Sequence, residues 1–239
     1  MTVAQGKPGN GKFRATSVAV EGGFGVLLDG KPLRTPGGRP VVVPSRLLAE
    51  AIAAEWDGQV AKPDLSRLPL TRIAATAIDR IPARREGVVE ELAGYAETEL
   101  LCHRASHPPA LVARQIAAWQ PLLDWLAQHF DAPLATTVGV LPRAQSEASL
   151  GALRRALGAL DDFRLAGLSV AVAAAGSLVI GLALAENRLD AEQAFDAAEL
   201  DATFQIEQWG EDEIARRRRA EVRADLEAAE KFLRLLEQG

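Results

Sequence analysis

Between Arg164 and Glu186 the chain runs 21 residues without a charge, LAGLSVAVAAAGSLVIGLALA (165–185). A helical stretch of that kind either spans a bilayer or is covered by protein on every side, because it has no face suited to water. Composition favours burial in protein. Seven of the residues are Ala and three are Gly, and no aromatic side chain stands at either end to lie in a membrane interface. Gly176-Ser177 interrupts the run near its middle. Two short buried helices forming a core hairpin are expected, with no integral membrane span, and the rest of the chain must cover them.

The remainder has the means. Of 239 residues, 48% are hydrophobic and 25% charged, the balance of an ordinary globular protein rather than a disordered one. A formal net charge of −5 lacks the basic footprint of a nucleic-acid binder. Cys102 is the single cysteine, which leaves no partner for an intramolecular disulfide or a thiolate zinc site. Histidine and tyrosine are scarce, and neither a catalytic role nor a cofactor is expected. The start, MTVAQGKPGNGKF, has no apolar core and no Arg-rich amphipathic stretch, so neither a signal nor a transit peptide is read there.

The hydrophobic period changes once along the chain. From Phe13 to Val43 it alternates, with turns at Glu21-Gly22-Gly23, Asp29-Gly30 and Pro36-Gly37-Gly38, which predicts a meander of three or four strands. From Ser45 on it is helical. Helices are expected through Trp56, from Pro69 to Asp79, and from about Ala83 to Tyr95. A further one carries an apolar stripe of Ile116, Trp119, Leu123, Leu126 and Phe130, which Pro121 should kink or restart. Asp190 with Gln193 forms a capping box opening one helix as far as Trp209, and a last charged helix spans roughly 211–236. The predicted class is α+β: a flexible arm (1–12), a small antiparallel β domain (13–60) and a larger all-helical domain (61–239).

Several chemical motifs dissolve under scrutiny. Gly6 to Lys12 has P-loop spacing, but no strand precedes it and Phe13 stands where a hydroxyl is required. Cys102, His103 and His107 run into Pro108-Pro109, which breaks the helical geometry a shared metal would need. Lys62-Pro63-Asp64 is a hinge or a rigid linker. Trp209-Gly210-Glu211-Asp212-Glu213 followed by Arg216–Arg219 is more informative. Gly210 allows a break, and three acids at a helix start suit its dipole. Asp212 to Arg216 and Glu213 to Arg217 are favourable four-residue pairs. Four successive arginines surround the helix, so this stretch stands in water or meets an acidic partner. Trp56 ends an apolar helix and reads first as a core anchor; Arg72 and Asp79 share a helix side and are suited to internal bridges.

Taken in order, KPLRTP (31–36), AAEWDGQ (53–59), PLTRIAATAIDR (69–80), ETELLCHRA (97–105), GSLVIGLALAENRLDAEQAFDAAELDATFQ (176–205) and QWGEDE (208–213) resemble the mitochondrial-type assembly chaperones of F-type ATP synthase, the Atp-twelve family. The resemblance spans about residues 13–235. It implies a chaperone without enzymatic activity that binds the unassembled ATP synthase alpha subunit and keeps it soluble until the beta subunit replaces it. Members occur in mitochondria and in alpha-proteobacteria, the lack of a transit peptide suits a bacterial cytoplasmic member, and a monomer is expected. The family's functional glutamate falls on Glu211 or Glu213, within a partner-binding set of Trp209, Glu211, Asp212 and Glu213, and Trp56 matches the family's EWD tryptophan. Two other readings stay open: an enzyme using carboxylates among Glu97, Glu99, Glu211 and Glu213, and a membrane-associated protein using 165–185.

Overall fold

A computed structural model describes residues 12–60, 64, 67–139 and 143–238. The glycine-rich segment 6–11 and most of the Lys62-Pro63-Asp64 linker lie outside the described residues. The chain forms two compact units. One takes residues up to Arg85 with Asp161–Gly167 and the residues from Lys231; the other takes Glu86–Leu160 and Leu168–Glu230. The sheet's unit therefore runs past residue 60.

In that first unit β1 (Ala15–Val20) pairs antiparallel with β2 (Gly23–Leu28), and β2 pairs with both β3 (Lys31–Pro32) and β4 (Val42–Val43). Asp29 and Gly30, at φ 49° and 77°, make the two-residue turn that their sequence calls for. The topology departs from a simple meander. β3 and β4 lie one after the other along the same edge of β2, and residues 33–41 leave that edge as a small hairpin bridged at Arg34 and Pro40. The helix α1 (Arg46–Trp56), capped by Ser45, packs on β1, β2 and β4 and buries Leu48, Ile52 and Trp56.

The EWDGQ segment that ends α1 is consumed in building this unit. Helix α2 (Pro69–Asp79) has Leu68 at its N-cap and no cap of its own. The Glu55 carboxylate serves instead, accepting from the Leu70 and Thr71 amides at 2.7 and 2.9 Å and from Thr71 Oγ1 at 2.7 Å. Burial pushes the Glu55 carboxyl up from its ordinary value, and these donors pull it back. Trp56 Nε1 donates to Thr71 Oγ1 at 3.0 Å, Asp57 accepts from Ala15 N at 3.3 Å, and the backbones of Gly58 and Gln59 pair with Phe13.

The second unit is helical: α3 (Ile81–Glu97), which begins in the first unit, α4 (Pro109–Phe130), α5 (Glu147–Ala159), α6 (Asp162–Ala175), which also begins in the first unit, α7 (Leu178–Ala185), α8 (Ala191–Ala198), α9 (Leu200–Trp209) and α10 (Glu213–Glu237), whose last residues from Lys231 belong to the first unit, with a two-residue parallel pair β5 (His103–Arg104) and β6 (Thr137–Val138). Helix α3 starts at Ile81 and departs from helical geometry at Arg84 (φ −136°). Helix α4 contacts α5, α7 and α9. It continues through Pro121 without restarting; of its expected stripe, Trp119, Leu123 and Leu126 are buried while Ile116 is exposed. The single helix expected from Asp190 to Trp209 is two, separated at Glu199, although the Asp190–Gln193 capping box is present.

The charge-free run divides at Gly176-Ser177 into α6 and α7, and among the described residues no helix is long and apolar enough to cross a membrane. Leu178–Leu184 are buried on every side. Gly181 makes this possible: a Cβ there would lie 2.4 Å from Val172 Cγ2 and 3.2 Å from the Val172 amide nitrogen, so only glycine lets the two helices approach this closely. The start of α7 holds a buried carboxyl group. Glu99, with no exposure, accepts from Ser177 Oγ at 2.5 Å, from the Leu178 and Val179 amides at 3.0 and 3.3 Å, and from the Leu101 amide at 3.2 Å. All four partners are used as donors, at a helix N-terminus whose amides favour negative charge. Burial pushes its pKa up and the hydrogen bonds oppose that. Nearby, burial pushes the Cys102 thiol up to about 12.

Glu99→Ala leaves four buried donors without their acceptor, and should lower unfolding free energy by about 3 kcal/mol or more in urea titration; Glu99→Gln, which turns an N–H toward donors, should recover little of the loss. Because the Cys102 thiol is buried and held protonated, an aromatic disulfide reagent should leave it unmodified in the native protein and titrate it fully in denaturant.

Candidate functional site

The connection between α9 and α10 gathers four of the five residues picked out from the sequence. Helix α9 ends at Trp209, and Gly210, at φ +83°, turns the chain away in a conformation that side chains rarely adopt. Asp212 then opens α10: its Oδ1 accepts from the Ala215 amide at 2.8 Å, and its carbonyl accepts the Arg216 amide at 3.0 Å. Asp212 thus works as a cap. Glu213 takes Arg216, with Arg217 Nη2 at 3.9 Å.

Glu211 has a different environment. Arg219 Nε lies 3.2 Å from Glu211 Oε1, its Nη1 2.9 Å from Glu199 Oε2, and its Nη2 3.1 Å from Thr203 Oγ1. The same guanidinium lies over the Phe195 ring at 5.0 Å. Arg219 is only 18% exposed in its side chain, against 66% and 74% for Arg216 and Arg217. The arginine run therefore does not surround its helix with water, because Arg219 ties α10 to α8 and α9. Glu211, at 26%, is the lid of that cluster, while Glu213, at 61%, stands in solvent.

The apolar residues here are exposed to an unusual degree. Trp209 is 80% and Ile214 82% exposed, one on each side of the turn. Large apolar side chains left in water at a structured turn mark a contact surface more readily than a scattered surface leucine does. Between α9 and the start of α10 lies a depression of about 260 Å³ lined in part by Ala202, Ile206, Trp209, Ala215 and Arg218. On the same α9, Glu207 pairs with Arg114 at 2.8 Å, and that hydrogen bond holds its carboxyl below the usual range.

Trp56 is not part of this surface. It belongs to the first unit, is 1% exposed and has its N–H satisfied. Ile214 was not singled out in the sequence, although an isolated β-branched side chain between acids and arginines at a helix start is the signal that finds it. The other candidates are occupied: Glu97 lies 3.9 Å from Arg154, and Glu99 is enclosed by donors. Asp79 accepts from the 33–41 hairpin rather than bridging to Arg72. His103 lies in β5, and among the described residues no group of three His, Cys, Asp or Glu side chains is placed to hold a metal.

The family model described as ATP12 chaperone protein matches residues 12–127. The crystal structure of Atp12 from Paracoccus denitrificans superposes with a TM-score of 0.88 at 40% identity, covering 93% of this chain and 95% of that one. The Atu1473 protein of Agrobacterium tumefaciens gives a TM-score of 0.88 at 41% identity over 94% of this chain and 85% of its own. The protein atp12, mitochondrial, of Schizosaccharomyces pombe is 25% identical over 214 residues, 83% of this chain and 72% of that relative.

Trp209→Ala and Ile214→Ala remove side chains that bury almost nothing, and each should change unfolding free energy by less than about 0.5 kcal/mol. Arg219→Ala leaves Glu199 and Glu211 facing each other without their shared cation, and should cost about 1–3 kcal/mol in the same denaturation assay.

Proposed function

The chain belongs to the ATP12 chaperone family, and from that premise we propose that it assists assembly of an F-type ATP synthase by holding the unassembled alpha subunit soluble until the beta subunit replaces it. It does so as a monomer in the bacterial cytoplasm, by binding and without catalysis. The observation that carries this reading is the pair Trp209 and Ile214, 80% and 82% exposed beside a rigidly capped acidic turn.

An unassembled subunit exposes an interface meant for its neighbour, more apolar than a free surface tolerates. A holder that hydrolyses no nucleotide must cover this surface yet yield it to the proper neighbour. A few apolar anchors with charged residues at the rim meet both needs, because burial of an aromatic gives most of the affinity and the rim charges govern approach and orientation. Trp209 and Ile214 are the anchors. Glu213 meets a basic residue of the client: it trades an exposed pair with Arg216, worth little in water, for one that the complex shields. Glu211 acts at one remove, fixing Arg219 and so the angle at which α10 leaves the turn.

Refolding of the alpha subunit from denaturant, with and without this chain, tests the proposal. Soluble alpha should elute together with the chain and be surrendered when beta is added; alpha that aggregates equally in both cases would sink the reading. Glu213→Lys should abolish capture while the melting temperature stays near wild type, and Trp209→Ala should weaken it by about 30-fold or more. Glu211→Lys should lose capture and stability together, since it sets a lysine against Arg219.

A further inference from the structure

The 33–41 hairpin that leaves the sheet edge is pressed onto α2 rather than left loose. Thr35 Oγ1 and the Gly37 amide donate to the two oxygens of Asp79 at 2.9 and 2.7 Å, Arg39 Nη1 donates to the Ile78 carbonyl at 2.6 Å, and Arg34 Nη1 closes the loop on the Gly38 carbonyl at 2.7 Å. Between hairpin and helix lies a groove of about 560 Å³, within the range of small-ligand and peptide pockets. Pro36 and Ala75 offer it accessible apolar surface above the buried Val41 and Trp56, each 1% exposed, and Arg34, Arg72 and Arg80 line it as cations beside the Asp79 carboxylate. Among the described residues none of these three arginines has a carboxylate partner, and the Arg72 and Arg80 guanidinia have no acceptor at all. Asp79, the acid of the lining, is turned to the hairpin, where it accepts from Thr35 Oγ1 and the Gly37 amide. The groove is thus preformed, and among the described residues its lining sets three arginines against the single carboxylate of Asp79.

We propose that this groove is a second docking site, taking an extended acidic segment of a protein partner. Arg72 and Arg80 are eight residues apart, so their Cα atoms are separated by about 12 Å along the helix. That distance is matched by carboxylates about four residues apart in an extended chain, with the apolar side chain between them set against Pro36 and Ala75. A nucleic acid fits less well, since the chain as a whole carries a net charge of −5 and the apolar part of the groove offers nothing to a phosphate backbone. Rigid walls spare the partner the cost of ordering the site. The groove belongs to the first unit and the α9–α10 turn to the second.

The test uses the full chain and a fluorescein-labelled peptide, GSEALAESG, read by fluorescence anisotropy at low ionic strength. Its counterpart with both glutamates replaced by glutamine is the control. The glutamate peptide should bind at least about tenfold more tightly than the control, and added salt should erode the difference. In the double variant Arg72→Ala, Arg80→Ala, with a melting temperature near wild type because both side chains are exposed, the two peptides should bind alike. Equal binding of the two peptides to the wild-type chain, a preference that survives the double variant, or no saturation at millimolar peptide would each overturn the proposal. So would displacement of the probe by oligothymidylate at lower concentration than by unlabelled peptide. The probe contains no sequence of the alpha subunit, so its failure leaves the proposed function standing.

Discussion

Four donors converge on the Glu99 carboxylate where no water reaches it, and much of the second unit is arranged around that requirement. Burying a carboxyl group is expensive, yet here it completes the cap that Ser177 begins on the most apolar helix of the chain. With Leu178–Leu184 buried on all sides, the free amides at the start of α7 cannot turn to solvent. Ser177 satisfies the Ile180 amide, and Glu99, arriving from the short turn before β5, satisfies those of Leu178 and Val179. The seven buried residues of α7 thereby constrain where residues 97–102 run, and with them where α4 begins.

The same device recurs in the first unit, where Glu55 caps α2 from the end of α1. In both places a glutamate distant in sequence takes helix N-terminal amides, alone at α2 and beside Ser177 at α7. The two sites show why the acidic residues of this chain sort into two kinds. Those enclosed by backbone amides (Glu55, Glu99) hold elements in register, and Asp79 does the same for the 33–41 hairpin. In the α9–α10 turn Asp212 caps α10, while Glu211 and Glu213 pair with arginines that solvent also reaches. Only the second kind is free to exchange partners at low cost.

Much of the fold was legible because it rests on local chemistry. Asp29-Gly30, Ser45, Pro69, Gly176-Ser177 and the Asp190–Gln193 box each fix a boundary through their own backbone preferences, and the structure places each where the sequence does. Contacts between distant residues were not legible. Nothing local to Glu99 distinguishes a buried cap from a surface acid, and nothing local to Glu199 announces a helix break whose carboxylate is held by Arg219. The continuity of α4 through Pro121 and the exposure of Ile116 likewise depend on what packs alongside. The acidic turn was visible as charge pattern, but the difference between Glu211 and Glu213 appears only once Arg219 is seen to be half-enclosed.

The division of residues 165–185 by Gly176-Ser177 bears on synthesis as well as on packing. Emerging from a ribosome, a segment is sorted by the free energy of placing it in lipid, and a long unbroken row of Leu, Ile and Val commits a chain to insertion. Here the branched residues are thinned by alanine and interrupted where α6 must end. The nascent chain carries an interior apolar enough to bury in protein, yet too dilute and too short in each half to be diverted to a bilayer before the helices that cover it have been made.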